Sequence, residues 1–339
     1  MSTLSATRLA LAVGTPVQAR APGDVIPFAR LAQRTRARRM WFGHSGLLDS
    51  QLLIAYFVGR GIDVSYGSSV ALIPLQHPYD AALTARSIAV LSGQRYTAGF
   101  GPATPALVNA VRGAPYASPR TASVEYASIL RELLDGDHVV DVEGEYFVQC
   151  GLRRFEPSPP VEVGLGVLRP AMARAAGGAA DVAISWLTPP EYLRTVLVPA
   201  LAEGAAGRPS PPRLVTLVQV AVRRPGRDPA VLADFAAGLH LQATHYRRML
   251  ELARIPLHAD PLTSARALVE HGVFLYGSPD EIVSGLHTYR EAGAGEIVVK
   301  TTGVHMAEGL RAAVDDMVAV FEAAGELTQE AAPALVGGR

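Results

Sequence analysis

Short apolar runs alternate with longer stretches of helical periodicity along almost the whole chain, and this alternation leaves few architectures open. Eight runs read as strands: Arg8–Val13, Arg39–Gly43, Ser65–Leu72, Arg95–Phe100, Val161–Gly166, Asp181–Ser185, Leu214–Val222 and Glu296–Lys300. Several are nearly uninterrupted apolar, as parallel strands covered on both faces should be. The helical segments between them carry their own punctuation. Asp24 is placed to cap a helix bearing Ile26, Phe28 and Leu31, and Asp49 to cap Ser50–Gly59. Pro78 opens Tyr79–Leu91, which Gly93 closes. A final helix near His305–Ala324 sets Leu310, Val314, Met317, Val318 and Phe321 on one stripe. Eight strands, each followed by a helix, within 339 residues predict an α/β fold, a (β/α)8 TIM barrel with insertions. The rival doubly wound sheet is disfavoured: Val13-Gly14-Thr15-Pro16 after the first strand is no Gly-x-Gly-x-x-Gly.

Two regions break the alternation. His138–Gln149 reads as a hairpin turning at Glu143-Gly144, ahead of the fifth strand. Ala202–Pro212, rich in Gly, Pro and Ala, reads as a loop, and Asp228–Glu270 as an inserted set of helices over the barrel mouth. The expected organisation is one domain over residues 1–326, with 327–339 a flexible tail. The N-terminal RLALAVGTPVQARA resembles a secretory signal, but its apolar run Leu9–Val13 is five residues long, short of the roughly 7–15 a signal needs, so a first barrel strand is expected. No run reaches the roughly 18–20 apolar residues of a membrane span. Balanced charge, 31 basic against 31 acidic residues, argues against nucleic acid as the main partner. Cys150 is the single cysteine, which excludes an internal disulfide and a cysteine zinc site and fits a cytoplasmic protein.

Motifs of the common chemistries are missing: no phosphate-binding P-loop, no His-Glu-x-x-His, no Gly-x-Ser-x-Gly. The nine histidines do not pair with carboxylates at metal-ligand spacing, so no metal site is expected. What remains suits a bound heterocycle with a phosphorylated tail. Ser68-Ser69-Val70 ends the third strand, and Gly99-Phe100-Gly101-Pro102-Ala103-Thr104 carries the fourth into a helix whose backbone N–H groups suit an anion. Val163 to Pro170 runs from strand to helix with Leu168 and Arg169 at the junction, a helix N-terminus beside a guanidinium. Trp186 ends the sixth strand. In a parallel barrel such strand ends are where ligands sit, and small residues there let backbone approach a flat ligand.

Taken in order, these residues resemble the luciferase-like monooxygenase superfamily of flavin- and deazaflavin-dependent barrels, over about Arg8 to Ala324. The resemblance is carried by Ser69-Val70, Pro74, His77-Pro78, then Leu91 to Gly101, Pro159-Pro160-Val161, Ala179-Ala180-Asp181, and Tyr276 to Ile282. Asp181 to Pro189, ending Ser-Trp-Leu-Thr-Pro, is similar to the branch that uses the deazaflavin coenzyme F420, the methylene-tetrahydromethanopterin reductase-like proteins. The resemblance implies a non-prolyl cis peptide at Ser69-Val70 that backs the deazaflavin ring. It implies Gly99, Gly101, Thr104, Leu168 and Arg169 around the ribityl-phosphate tail, and His44 near the reacting face. There are departures: Gly43 stands where the family often has Asp, and Thr104 where some deazaflavin dehydrogenases place a glutamate acid. A sugar-phosphate dehydrogenase is therefore not the expected activity.

The expected function is hydride transfer between coenzyme F420 and a small or natural-product-like organic substrate, in the form of a reductase. His44 would act as general acid or base and Trp186 would wall the substrate pocket. The alternatives are an FMN-dependent monooxygenase on the same fold, or a non-catalytic barrel binding a flavin or a partner through the Asp228–Glu270 helices. A homodimer is expected, with the apolar Asp49–Gly59 helix in its interface.

Overall fold

The computed structural model describes residues 9–16, 18–135, 139–153 and 155–328. Eight parallel strands close into a barrel in the order in which they occur along the chain. These are β1 (Leu11–Gly14), β2 (Arg39–Phe42), β3 (Ser65–Ser68), β5 (Tyr96–Gly101), β8 (Val161–Gly166), β9 (Val182–Trp186), β10 (Arg213–Val222) and β12 (Glu296–Lys300). β12 returns to β1 through Leu11 opposite Ile297, which closes the ring. All eight strands read from the sequence are present, with ends shifted by a residue or a few. One is interrupted: the Ser69–Val70 peptide is cis, β3 stops at Ser68, and the chain resumes pairing with β5 as β4 (Ala71–Leu72).

The helices α1 (Ile26–Arg34), α2 (Ser50–Gly59), α3 (Pro78–Ser92), α4 (Pro105–Arg112), α5 (Pro119–Asp135) and α6 (Pro170–Ala179) follow the first strands. Asp49 caps α2 by accepting from the Gln51 and Leu52 N–H groups, and Gly93 ends α3 in the left-handed conformation glycine favours. Asp24 departs from expectation. It accepts from the Arg20 and Ala21 N–H groups in a short turn, Pro22–Asp24, and Val25 is the N-cap of α1. The expected hairpin is β6 (Val139–Glu143) with β7 (Val148–Arg153), so its second strand runs past Gln149; His138 lies outside the described residues.

Further on come α7 (Pro190–Tyr192) and α8 (Val198–Gly204), the latter taking the first residues of the stretch read as a loop. The insertion forms α9 (Pro229–Gln242), α10 (Thr244–Leu252) and α11 (Pro261–Glu270). A strand missed in the sequence, β11 (Phe274–Gly277), follows and adds parallel to the upper half of β10, and α12 (Pro279–Glu291) leads to β12. The last helix is two, α13 (Thr302–Glu308) and α14 (Leu310–Ala323), because Gly309 sits at φ 90 between them. The ordered chain also passes residue 326: Leu327 bridges Thr35, and the Thr328 N–H donates to the Arg34 carbonyl. The remaining residues read as a tail, 329–339, lie outside the described ones.

Inside the barrel the side chains form layers. At the floor, the Arg39 guanidinium lies 2.9 Å from Glu296, which also accepts from the Trp41 indole N–H at 2.6 Å. Arg213 reaches both Glu296 and Glu162, and the Thr97 hydroxyl donates to Glu162 at 2.6 Å. Above this lie Trp41 and Ile184, with Ala12, Val182, Val215, Leu217 and Val298. Glycines on neighbouring strands make room for the two large ones. A Cβ on Gly67 would sit 2.6 Å from the Trp41 ring, and one on Gly99 would sit 2.3 Å from Ile184 and 2.1 Å from the Ser68 carbonyl oxygen.

Gly99→Ala therefore forces backbone apart in a packed interior and should cost about 3 kcal/mol or more, read by denaturant unfolding. Burial works against the Glu162 carboxylate, but Arg213, Thr97, Arg39 and Arg95 outweigh it and hold the group below the usual carboxylate range. A depressed folded value means that its stabilisation is complete above 4.5 and is lost as pH falls below that. Glu162→Gln should lower stability at neutral pH by about 3 kcal/mol and flatten the acid limb of a Tm-versus-pH curve. A variant with an unchanged acid limb would assign that limb to other groups.

Candidate active site

The inward positions at the carboxyl ends of the strands divide the barrel mouth into a bare half and a bulky half. Gly43 just beyond β2, Gly101 on β5 and Gly166 on β8 contribute no side chain, and Val70 of the interrupted third strand projects between them. A Cβ on Gly101 would be 2.8 Å from Val70 Cγ2, so that glycine accommodates the bulge. A Cβ on Gly166 would meet nothing nearer than 3.6 Å, and one on Gly43 only the Ser69 carbonyl at 3.8 Å. Ser69, Val70, Gly43 and Gly166 thus outline an open cradle. Opposite them stand Trp186 on β9, Gln219 on β10 and Lys300 on β12.

Beside the cradle a cleft of about 130 Å³ is lined by Phe42, Gly43, His44, Asp49, Ser68 and Gln76, among others. That is room for one end of a tricyclic ring. Ser68 is turned away from the barrel axis, its hydroxyl 2.5 Å from that of Tyr96, whose titration burial pushes up to about 12. Gln76 donates to Gln51 at 2.8 Å, and its own amide oxygen is buried without a partner. His44 is exposed at the cleft rim. Burial lowers its pKa, against the opposing pull of Asp49, so the imidazole is neutral at pH 7.

The other expected residues are spread over two places. Gly99 lies below the mouth, against Ile184 and the Ser68 carbonyl, so packing accounts for its missing side chain. Thr104 caps α4, its hydroxyl oxygen accepting from the Leu107 N–H at 3.3 Å while the O–H stays able to donate. Arg169 is exposed at the N-cap of α6, which has no side-chain cap, and the Leu168 carbonyl accepts from the Tyr192 hydroxyl at 3.1 Å. Ala103 (φ 64) and Leu187 (φ 57), just after β5 and β9, hold a left-handed backbone that residues with side chains seldom adopt; such conformations gather at ligand sites.

The inserted helices do reach the mouth. His240 of α9 lies against Trp186 with ring centroids 4.1 Å apart, and Tyr246 of α10 meets both rings edge-on. The Lys300 ammonium is 5.5 Å from the Trp186 ring centroid. Lys300 and His240 escaped the sequence reading. The available signal was position: Lys300 is the last residue of a barrel strand, at the end where ligands bind. Among the described residues no three His, Cys, Asp or Glu side chains gather as metal ligands, and no helix is long and apolar enough to cross a membrane.

The open cradle fits a flat heterocycle laid over Ser69–Val70: bare positions at Gly43 and Gly166, and a buried amide oxygen on Gln76 that lacks a partner.

Comparison with known proteins agrees with this fold. An F420-dependent secondary alcohol dehydrogenase, solved with an F420-acetone adduct, superposes with a TM-score of 0.72 at 18% identity, over 93% of this chain and 99% of that one. The coenzyme F420-dependent tetrahydromethanopterin reductase of Methanopyrus kandleri gives 0.67 at 15% identity, over 91% and 98%. A riboflavin lyase, solved with modified FMN and its substrate riboflavin, also gives 0.67, at 14% identity over 97% and 95%. At these identities the likeness establishes the fold. No curated protein sequence matches the chain. The family model described as luciferase-like monooxygenase matches residues 1–296. With that match spanning most of its length, the chain belongs to the luciferase-like monooxygenase family.

Proposed function

We propose that this family member is an oxidoreductase that uses coenzyme F420 to move a hydride to or from a small or natural-product-like organic substrate. The observation that carries the reading is the one-sided mouth: a bare cradle at Gly43 and Gly166 beside Val70, facing Trp186 and Lys300. A flat redox ring would use the first and a substrate the second. Support for F420 in particular comes from the resemblance of Asp181 to Pro189 to the deazaflavin branch and from two F420-dependent structural neighbours. The riboflavin lyase neighbour keeps FMN as the second reading.

When bound, a deazaflavin supplies a carbon centre that exchanges one hydride and does not activate oxygen. The chain's own contributions are distinct. Ser69 and Val70 would back the ring. Arg169 and the N-terminus of α6 would hold the phosphorylated tail, with the Thr104 O–H as a further donor. Gly99 contributes by letting the strand pack close. His44, neutral at pH 7, is set to accept a proton from a substrate hydroxyl in the oxidising direction and to return it in the reducing one. Its basicity requires the neutral imidazole, so the oxidising rate should fall as pH drops through its lowered pKa, beneath the ordinary histidine value. Reduction is the direction we expect to dominate.

Purified protein should bind F420 with micromolar or better affinity, followed by quenching of its fluorescence; protein that instead copurifies with a yellow flavin overturns the choice of cofactor. His44→Asn should lower kcat by on the order of a hundredfold, with F420 affinity retained.

The family reading also carries a proposal about assembly. Leu53, Ile54 and Phe57 of α2 pack on the barrel, whereas Leu52 of α2 and Leu91 of α3 are 70% and 62% exposed, alongside exposed Tyr56 and Val90. Helices α2 and α3 pack together, and such a face suits a second copy of the chain. Sedimentation should show a dimer that Leu52→Glu with Leu91→Glu converts to monomer; a wild-type monomer would refute it.

A further inference from the structure

At the bulky half of the mouth, three polar groups lack partners. The Trp186 indole N–H, which can only donate, is buried with no acceptor, and His240 Nδ1 is buried with no partner. The Lys300 ammonium has no acceptor or ion pair among the described residues. Its stem passes close over Gly14 of β1, where a Cβ would be 2.6 Å from Lys300 Cγ. The neighbouring polar side chains are already engaged. Gln219 donates to the Thr302 hydroxyl and accepts from the Thr302 N–H, both at 3.1 Å. Thr188 donates to the Ser185 hydroxyl, which donates to Thr216, at 3.0 Å per link. The barrel floor is the contrast, because there each inward arginine meets a glutamate. Buried donors are normally satisfied, so the buried indole N–H marks a missing acceptor, and the half-buried Lys300 ammonium beside the ring supplies a positive charge next to it.

We propose that Lys300, with the Trp186 indole N–H and His240, forms the site that receives a carboxylate of the substrate at the barrel mouth. This rests on the substrate lying at the bulky half, as proposed above. One ammonium matches one negative charge. His240 supplies no second positive charge, since burial, reinforced by Lys300, lowers its pKa to about 4. A phosphate dianion would leave a charge uncompensated in a partly buried site. A carboxylate there would fix one end of the substrate and aim the remainder across the mouth toward Val70, which is how a reacting carbon is held in register.

Benzoate and benzamide share shape and differ in charge, which makes them suitable probes in ligand-observed NMR with cofactor-free protein. Benzoate should bind and benzamide should not. Lys300→Met should weaken benzoate by about tenfold or more, as loss of a charge-assisted hydrogen bond does; Lys300→Arg should restore it, and Trp186→Phe should weaken it while keeping the ring. Burial brings the Lys300 pKa down to about 8, so affinity should fall as pH rises through that value. The facing groups do not confound this window: His240 of α9 and His245 of α10 have lowered pKa values, and Tyr246 of α10 has a raised one. Equal binding of benzoate and benzamide, an unchanged affinity in Lys300→Met, or stronger competition by inorganic phosphate than by acetate would each overturn the proposal. So would loss of F420 binding in Lys300→Met, which would place the lysine at the cofactor. Benzoate binding through Lys300 without any F420 binding would uphold the carboxylate site and sink the cofactor reading alone.

Discussion

A closed ring of eight strands encloses a fixed volume, and in this chain two side chains take much of it. Trp41 and Ile184 project into the middle of the barrel, and their size sets what neighbouring strands can carry. Gly67 faces the indole, and Gly99 and Gly164 face the isoleucine methyl. The floor depends on the same placement, because the Trp41 N–H and the Arg39 guanidinium converge on Glu296, and Arg39 lies over the indole ring at 4.9 Å. With the middle filled and the floor locked by opposed charges, only the upper rim remains free to hold anything else.

That division explains which glycines matter for binding. Along β5 alone, Gly99 and Gly101 look equivalent in sequence, two positions apart on the same face of the strand. Their environments differ. The lower one is closed off by the Ser68 carbonyl and Ile184, while the upper one borders Val70 at the rim. A glycine run at a strand end therefore mixes packing and binding, and spacing does not separate the two. The separation comes from what the neighbouring strands place opposite.

The barrel strands were legible because a strand covered on both faces is apolar along most of its length, as β8, β9, β10 and β12 are outside the charged floor positions Glu162, Arg213 and Glu296 and the mouth positions Gln219 and Lys300. Three features were hidden for physical reasons. The four-residue β11 looks like the end of a helix-rich insertion, because its tyrosine and glycine carry no strand periodicity. The break at Gly309 comes just before the apolar stripe that begins at Leu310, and no proline marks it, so the pattern reads as one helix. Lys300 looks like the polar stop of a strand, and only closure of the barrel brings it near Trp186 and His240, 114 and 60 positions away in sequence. His44, Ser69 and Val70 are assigned to the site through resemblance, whereas the contact of His240 and Tyr246 with Trp186 needed the tertiary structure.

The strand β10 is longer than its neighbours, and its upper part gives the fold a property of its own. Its last residues pair with β11, with Val222 opposite Gly277, and the Arg223 N–H donates to the Gly277 carbonyl at 2.7 Å. The chain leaves the barrel at Val222 to build α9, α10 and α11, and it returns hydrogen-bonded to the point of departure. Entry and exit of this fifty-residue excursion are stitched together, and its first helix also sits tightly on α13, where a Cβ on Gly303 would be 2.1 Å from the Leu232 carbonyl oxygen. The part of the molecule that closes over the mouth is thus anchored to the barrel at both ends, so the position of His240 and Tyr246 over Trp186 is set by the staves beneath.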